Sequence, residues 1–337
     1  MSASDLIAVT PEGLYCAAGG FYIDPPRAVA RALVTHGHAD HARPGHGAVL
    51  ATPETLAIMA ARYGVDHAGA VQPIGYGIPL RLGDVTVRFV PAGHVLGSAQ
   101  IVIERGGFRL VISGDYKRQP DPTAVPFEPV RCHAFVSEAT FGLPVFRHPP
   151  PVQETAKLLS SLARQPERVH LVGAYGLGKA QRLIALLREA GFDAPIGLHG
   201  AMVAITALYR DEGIALGPTL PLEPIRTARA PSPGIVICPP SAIDDRWSRR
   251  FDDPVTAFAS GWMRIRARAR QRGVDVPLIL SDHADWPDLT RTIAETGCSE
   301  LWVTHGQEDA LCHWATGRGI AARPLRLIGY GDEAETG

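Results

Sequence analysis

The segment Thr35-His36-Gly37-His38-Ala39-Asp40-His41 places three histidines and an aspartate within six positions, directly after the short apolar run Ala32-Leu33-Val34. A fold that accepts this stretch must end a β-like run where further polar groups can gather around it. On an extended strand end, positions two apart face the same way, so His36 and His38 can share one ion. Asp40 and His41 sit just past them, where a turning chain can aim both at a second ion. Imidazole nitrogen with carboxylate oxygen suits Zn²⁺ or Mn²⁺, and the lack of a nearby cysteine argues against a thiolate or iron–sulfur site. The competing reading is a surface His/Asp loop that holds no metal.

Further candidates also follow apolar β-like runs, where loops collect functional groups on the rim of a sheet. His94 lies in PAGHVLGSAQ, Asp115 in LVISGDYK and His305 in LWVTHGQ. Glu138, in FVSEATFG, and His283, in LILSDHADW, are placed similarly. Taken alone, Glu138 reads equally well as a capping or surface carboxylate, and His283 as a structural histidine.

The chain has 337 residues, beyond one simple core, so two domains or one domain with a large insertion are expected. Hydrophobic residues at 46% and charged residues at 20% describe a folded globular protein. Up to about residue 140, short β-like runs dominate: 6–10, 32–35, 48–51, 85–90, 100–104, 108–112 and 134–137. One helix is expected at 53–63, capped by Thr52 with Pro53 in its first turn. After His148-Pro149-Pro150-Pro151, helices at 153–163, 179–190 and 201–210 alternate with strands at 169–172 and 235–237, an α/β pattern. A strand at 278–280, a helix at 288–296, a strand at 301–303, a helix at 307–316 and a last strand at 325–328 complete the reading. Two β-rich ends around a different middle imply insertion rather than tandem domains.

The formal charge of −1 excludes a strong global field, so a nucleic-acid partner would need a local basic patch. Only Lys117, Lys157 and Lys179 are lysines, and the remaining basic residues are arginines. Nucleotide composition explains that skew, although arginine also suits bidentate phosphate contacts. The five cysteines are widely spaced and form no C-x-x-C pair, which reads as small buried residues in a reducing compartment. With no membrane-length apolar run and no signal-like start, a cytoplasmic location is expected.

In the middle segment, GAYGLGKA fits the first part of a P-loop but offers Ala180 where the magnesium-binding hydroxyl belongs, so an NTPase is rejected. Its backbone N–H groups and Lys179 could meet a phosphate, or the stretch could simply pack a helix start. In SGWMRIRARARQR, Arg264, Arg266, Arg268, Arg270 and Arg272 alternate with other residues. On a strand this places every guanidinium on one face and would track a phosphate backbone, whereas on a helix they scatter. A solvated charged face is the alternative, and Trp262 reads as core or as a base-stacking ring. No G-x-S-x-G nucleophile motif is present.

H-x-H-x-D-H followed by a lone histidine, a lone aspartate and a late histidine resembles the metallo-β-lactamase fold, and the resemblance covers nearly the whole chain. It implies an α/β protein, an αββα sandwich with a binuclear metal site. His36, His38 and His94 would hold one divalent ion, Asp40, His41 and His305 the other, and Asp115 would bridge them. Two such ions lower the pKa of a shared water and neutralise an anionic phosphate.

Glu138, His283 and His305 are further similar to the motifs of the β-CASP nucleases, in which a nucleic-acid-binding domain interrupts the lactamase fold. By that likeness, residues 1–150 and 276–337 form the lactamase domain and 151–275 a smaller inserted α/β domain. Glu138 would orient ligands, and His283 would meet the scissile phosphate as a general acid. Asp40 and the ions complete the catalytic set. GHVLGSAQ, SGWMR and SDHADW most resemble the bacterial ligase-associated DNA exonucleases, often labelled mRNA 3′-end processing factor-like. The short insert and the lack of an appended RNA-binding domain after His305 weigh against a ribonuclease J-like assignment.

DNA repair, with functional association with a DNA ligase or helicase, is therefore expected. RNA processing is the alternative, because His305 is a histidine as in RNA-active members, although Asp282 stands where RNA-processing relatives have alanine. A small-molecule metallohydrolase is disfavoured, since it needs neither the insert nor Glu138 and His283.

Overall fold

The computed structural model describes residues 1–222 and 234–325, which cluster into two compact units: 1–146 with 283 onward, and 147–282. In the first unit, alternation dictates the strands. Val85–Pro91 (VTVRFVP) buries Val85, Val87 and Phe89 on one side while Thr86 and Arg88 stay half-exposed.

Seven strands form one sheet in the order Ala321–Pro324, Glu300–Gly306, Ala134–Ala139, Phe108–Ile112, Ala99–Arg105, Val85–Pro91 and Leu80–Leu82. Pairing is parallel from Ala321–Pro324 to Phe108–Ile112 and antiparallel beyond. A six-stranded sheet runs Ala8–Thr10, Gly13–Cys16, Phe21–Ile23, Arg31–Leu33, Ala48–Ala51 and Val71–Pro73.

Phe21, Ile23, Leu33 and Leu50 from this sheet share one core cluster with Phe89, Ile101, Leu110, Val136 and Trp302 of the other. Each such side chain contributes about 1.5–3 kcal/mol when fully buried. On the six-stranded sheet's other side, Leu56 and Met59 of the helix Pro53–Tyr63 pack on Ala32, Val49 and Ala51. On the seven-stranded sheet, Leu289 and Ile293 of Trp286–Thr296 and Leu311 of Glu308–Thr316 pack on Val111, Phe135 and Val303.

The second unit is a parallel sheet in the order Thr219–Leu222, Ile196–His199, Ile235–Cys238, His170–Gly173, Val255–Ala259 and Val276–Leu278. Its central strands are buried along their whole length, as parallel strands flanked by helices must be. Its longer helices are Pro151–Arg164, Lys179–Glu189 and Gly200–Asp211.

The strand expected at 278–280 runs instead over Val276–Leu278 and pairs with Val255–Ala259. It therefore belongs to the second unit, which closes at Asp282 rather than near 275. The arginine run also differs from its strand reading. Gly261–Arg264 is a 3₁₀ turn and Arg266–Arg272 an α-helix ended by Gly273 at φ 62°. Alternate residues of a helix do not share a face, so no continuous stripe forms. Arg268 and Arg272 lie over the rings of Trp262 and Phe258, at 4.0 Å and 4.9 Å, while Arg264, Arg266 and Arg270 are exposed.

The last strand expected, at 325–328, falls outside the described residues except for Leu325, which is buried and lies just beyond the strand Ala321–Pro324. All five cysteines are buried and free of disulfides. No described helix is long and apolar enough to cross a membrane.

Candidate metal centre

Every ligand candidate stands in a loop or at a strand end of the first unit. His36 to His41 follow Arg31–Leu33, but they are not extended. The amides of His41 and Ala42 both donate to the His38 carbonyl, at 3.2 Å and 2.7 Å, so a turn rather than strand pleat brings the imidazoles together. Gly114 (φ 55°) runs so close to Thr35 that an added Cβ would lie 2.7 Å from its Cβ, which delivers Asp115 beside this turn.

His94 is fixed by Ser98, whose hydroxyl accepts from the His94 amide at 3.0 Å. The Gly97 carbonyl of the same loop accepts from Thr52 Oγ1 at 2.6 Å, and Thr52 also caps the helix Pro53–Tyr63 through the Thr55 amide. His305 is set by a bulge: Thr304 pairs with Glu138 and Gly306 with Ala139, leaving His305 as the extra residue at φ 56°.

Asp115 is the centre of the arrangement. Its Oδ2 lies 3.5 Å from His36 Nε2, 3.6 Å from His41 Nε2, 3.6 Å from His94 Nε2 and 4.0 Å from His283 Nδ1. Ligand atoms of His36, His38, His94 and Asp115 all fall within 4.8 Å of one another, and those of His41, Asp115 and His305 form a second such group that shares Asp115. Asp40 stands beside the second group, its Oδ2 3.6 Å from His41 Nε2. A third group joins Asp115, Glu138 and His283. There Glu138, fully buried, holds His283 Nδ1 at 2.9 Å through Oε2 and accepts from the Tyr116 amide at 2.7 Å through Oε1.

The electrostatics are those of a site built for cations. Burial holds His36 well below the ordinary imidazole range, helped by the surrounding histidines, and pushes His305 down to about 3. Burial raises the Asp115 carboxyl to about 7, with His41 opposing and Glu138 adding to the rise. Burial would also raise Asp40, but His41, His38 and His305 outweigh it and hold the carboxyl low. In His41, burial is overcome by Asp40, Asp115 and Asp24, and the imidazole is raised well above its usual range. Burial of Glu138 is likewise outweighed by His283, leaving it ionised. The fit to divalent ions rests on two observations: nitrogen and carboxylate donors converge in two groups about one shared carboxylate, and the buried Asp40 Oδ1 has no hydrogen-bond partner among the described residues.

Asp24 was not singled out from the sequence. It ends the strand Phe21–Ile23 at φ 43°, and its carboxylate accepts from the Thr35 amide and hydroxyl at 2.8 Å and 2.6 Å. Its Oδ2 also lies 2.8 Å from His41 Nδ1, which fixes that ring so that Nε2 serves the centre. In the second unit, Lys179 is 7% exposed, 3.4 Å from Asp282 and over the Tyr175 ring at 4.6 Å, so its charge is already met there.

Comparison with known proteins gives no matching family model. A protein of Opitutus terrae named probable DNA ligase is 30% identical over 333 residues, 97% of this chain and 31% of the relative. Ribonuclease TTHA0252 of Thermus thermophilus is 30% identical over 214 residues, 55% of this chain and 49% of the relative. Cleavage and polyadenylation specificity factor subunit 3 of Dictyostelium discoideum is 31% identical over 144 residues, 42% and 18%. The chain thus spans less than half the length of each of these relatives. A solved structure of a protein of unknown function from Enterococcus faecalis shares the fold, with a TM-score of 0.57 at 15% identity over 89% of this chain and 80% of that one. These relatives point to a β-CASP metallo-β-lactamase nuclease related to the mRNA 3′-end processing factors, to which this chain is similar.

Proposed function

We propose that this protein is a metal-dependent phosphodiesterase that degrades DNA exonucleolytically from single-stranded or frayed ends. The observation that carries the reading is Asp115 Oδ2, which lies within 4.0 Å of four imidazole nitrogens and belongs to both candidate ion-binding groups. An αββα sandwich interrupted by a β-CASP-like unit is supported by the shared core of the two sheets and by helices on their other faces.

His36, His38 and His94 would hold one divalent ion, His41 and His305 with Asp40 the other, and Asp115 both, with Zn²⁺ or Mn²⁺ suiting the donors. Bound there, the ions supply an acidified water and neutralise charge on a phosphodiester. The chain's own residues do the rest. Glu138 holds His283 through Nδ1, so that in the doubly protonated ring Nε2–H is the bond that would give its proton to the leaving oxygen. The same bond fixes the ring's orientation. The exposed Arg264, Arg266 and Arg270 are suited to meet phosphates, whereas Lys179 and Arg268 are engaged inside the second unit.

Preference for DNA rests on the ligase-named relative, which carries a region similar to nearly the whole of this chain within a protein about three times as long, and it extends to association with a DNA ligase. RNA processing is the second reading, favoured by the ribonuclease-named relative and by the one named a cleavage and polyadenylation factor subunit.

The test is digestion of end-labelled single-stranded DNA and matched RNA with Mn²⁺ or Zn²⁺. DNA should shorten progressively. Asp115→Asn should be inactive, and His283→Gln should be slower by about 10²–10⁴-fold. RNA cleavage without DNA cleavage would replace the first reading with the second, and undiminished activity of Asp115→Asn would remove the metal mechanism.

A further inference from the structure

Lysine is scarce here, and each of the three faces a carboxylate: Lys117 with Asp121, Lys157 with Glu154 and Lys179 with Asp282. Lys117 is the most buried of the three, 1% exposed, and the Asp121 carboxylate that meets it also accepts from the Thr123 amide and hydroxyl, at 2.8 Å and 2.7 Å. A buried ion pair seldom adds net stability over apolar residues of the same size, so its value lies in fixing one arrangement.

The arrangement it fixes is the segment 115–117, to which three other parts of the site are tied. The Tyr116 amide donates to Glu138 Oε1, and the Tyr116 carbonyl accepts from the Ala284 amide next to His283, both at 2.7 Å. The Lys117 amide donates to the Ala92 carbonyl at 3.1 Å, two residues before His94. Gly93, at φ 73°, passes so close that a Cβ there would lie 2.5 Å from the Lys117 carbonyl oxygen.

We propose that Lys117 is a positioning residue for the metal centre: its ion pair with Asp121 locks the segment that carries Asp115 and aligns it with His94, Glu138 and His283. This rests on the proposed centre, and the two are separable by experiment. Wild type, Lys117→Arg, Lys117→Met/Asp121→Leu and, as a control on a distant pair, Lys157→Met are compared for thermal midpoint, for metal content and for Mn²⁺ affinity by calorimetry.

The double variant should melt close to the wild type and yet bind Mn²⁺ about 10–100-fold more weakly. Lys117→Arg keeps the charge but should weaken binding as well, because the fork does not fit the buried position. Lys157→Met should bind as the wild type does. If the double variant fails to fold, Lys117→Arg decides. Wild-type affinity in the Lys117 variants that fold, or affinity that falls only in step with melting temperature, would overturn the role. A wild-type protein that takes up neither Mn²⁺ nor Zn²⁺ would remove the metal centre itself, and this role with it.

Discussion

Asp24 shows how one residue can govern a site without touching its centre. Three bonds converge on its carboxylate, from the Thr35 amide, the Thr35 hydroxyl and His41 Nδ1. The first two hold the chain where it enters the histidine turn, and the third fixes which nitrogen of His41 is offered to an ion. Asparagine tolerates the left-handed backbone that Asp24 adopts at φ 43° and matches its shape, so Asp24→Asn isolates the charge. Metal affinity should drop by about 10–100-fold with little change in fold, measured by calorimetric Mn²⁺ titration against circular dichroism. Unchanged affinity would show that the carboxylate only ties the loop. Nothing near Asp24 in the sequence marks it, since it stands alone before Pro25-Pro26 and gains its partners only when the strands at 21–23 and 31–33 pair.

At the scale of elements, the bulge in Glu300–Gly306 matters most, because an unbroken register with Ala134–Ala139 would turn His305 to the other side of the sheet. Gly306 makes it possible: at φ 100°, an added Cβ would lie 2.4 Å from the Ala139 carbonyl oxygen. Gly306→Ala should therefore cost about 1–3 kcal/mol in denaturant unfolding and reduce metal content as His305 leaves the site. A variant with full metal content and wild-type stability would mean that the bulge is not held by this glycine.

No period-two or helical pattern announces such a bulge, and the four- and three-residue strands Gly13–Cys16 and Phe21–Ile23 are also too short to show one. The helix Pro53–Tyr63 was legible to the residue because Thr52 and Pro53 mark its start. The arginine run misled because its spacing fits a strand, whereas the high helix propensity of Ala and Arg, ended by Gly273, describes what forms.

Over the whole molecule, the candidate ligands were legible because each follows an apolar run that becomes a strand, and strands deliver their ends to one rim. What sequence could not supply was the burial. His36 is fully buried, Asp115 is 7% exposed and Glu138 is fully buried, so the centre is an interior of histidines and carboxylates rather than a surface cluster. Asp115 bears the cost of that burial, its carboxyl raised to about 7, and cations held beside it would offset that cost.

Divalent ions that bind only the folded chain should therefore stabilise it by mass action, about 2.7 kcal/mol at a free concentration about 100 times Kd. Dialysis against a chelator should lower the melting temperature, and adding Mn²⁺ or Zn²⁺ back should restore it in proportion to the logarithm of free metal. Asp115→Asn, which removes the carboxylate common to both groups, should melt at a temperature that depends far less on metal. Melting curves of the wild type that coincide with and without chelator would mean that these side chains meet for packing and hydrogen bonding alone.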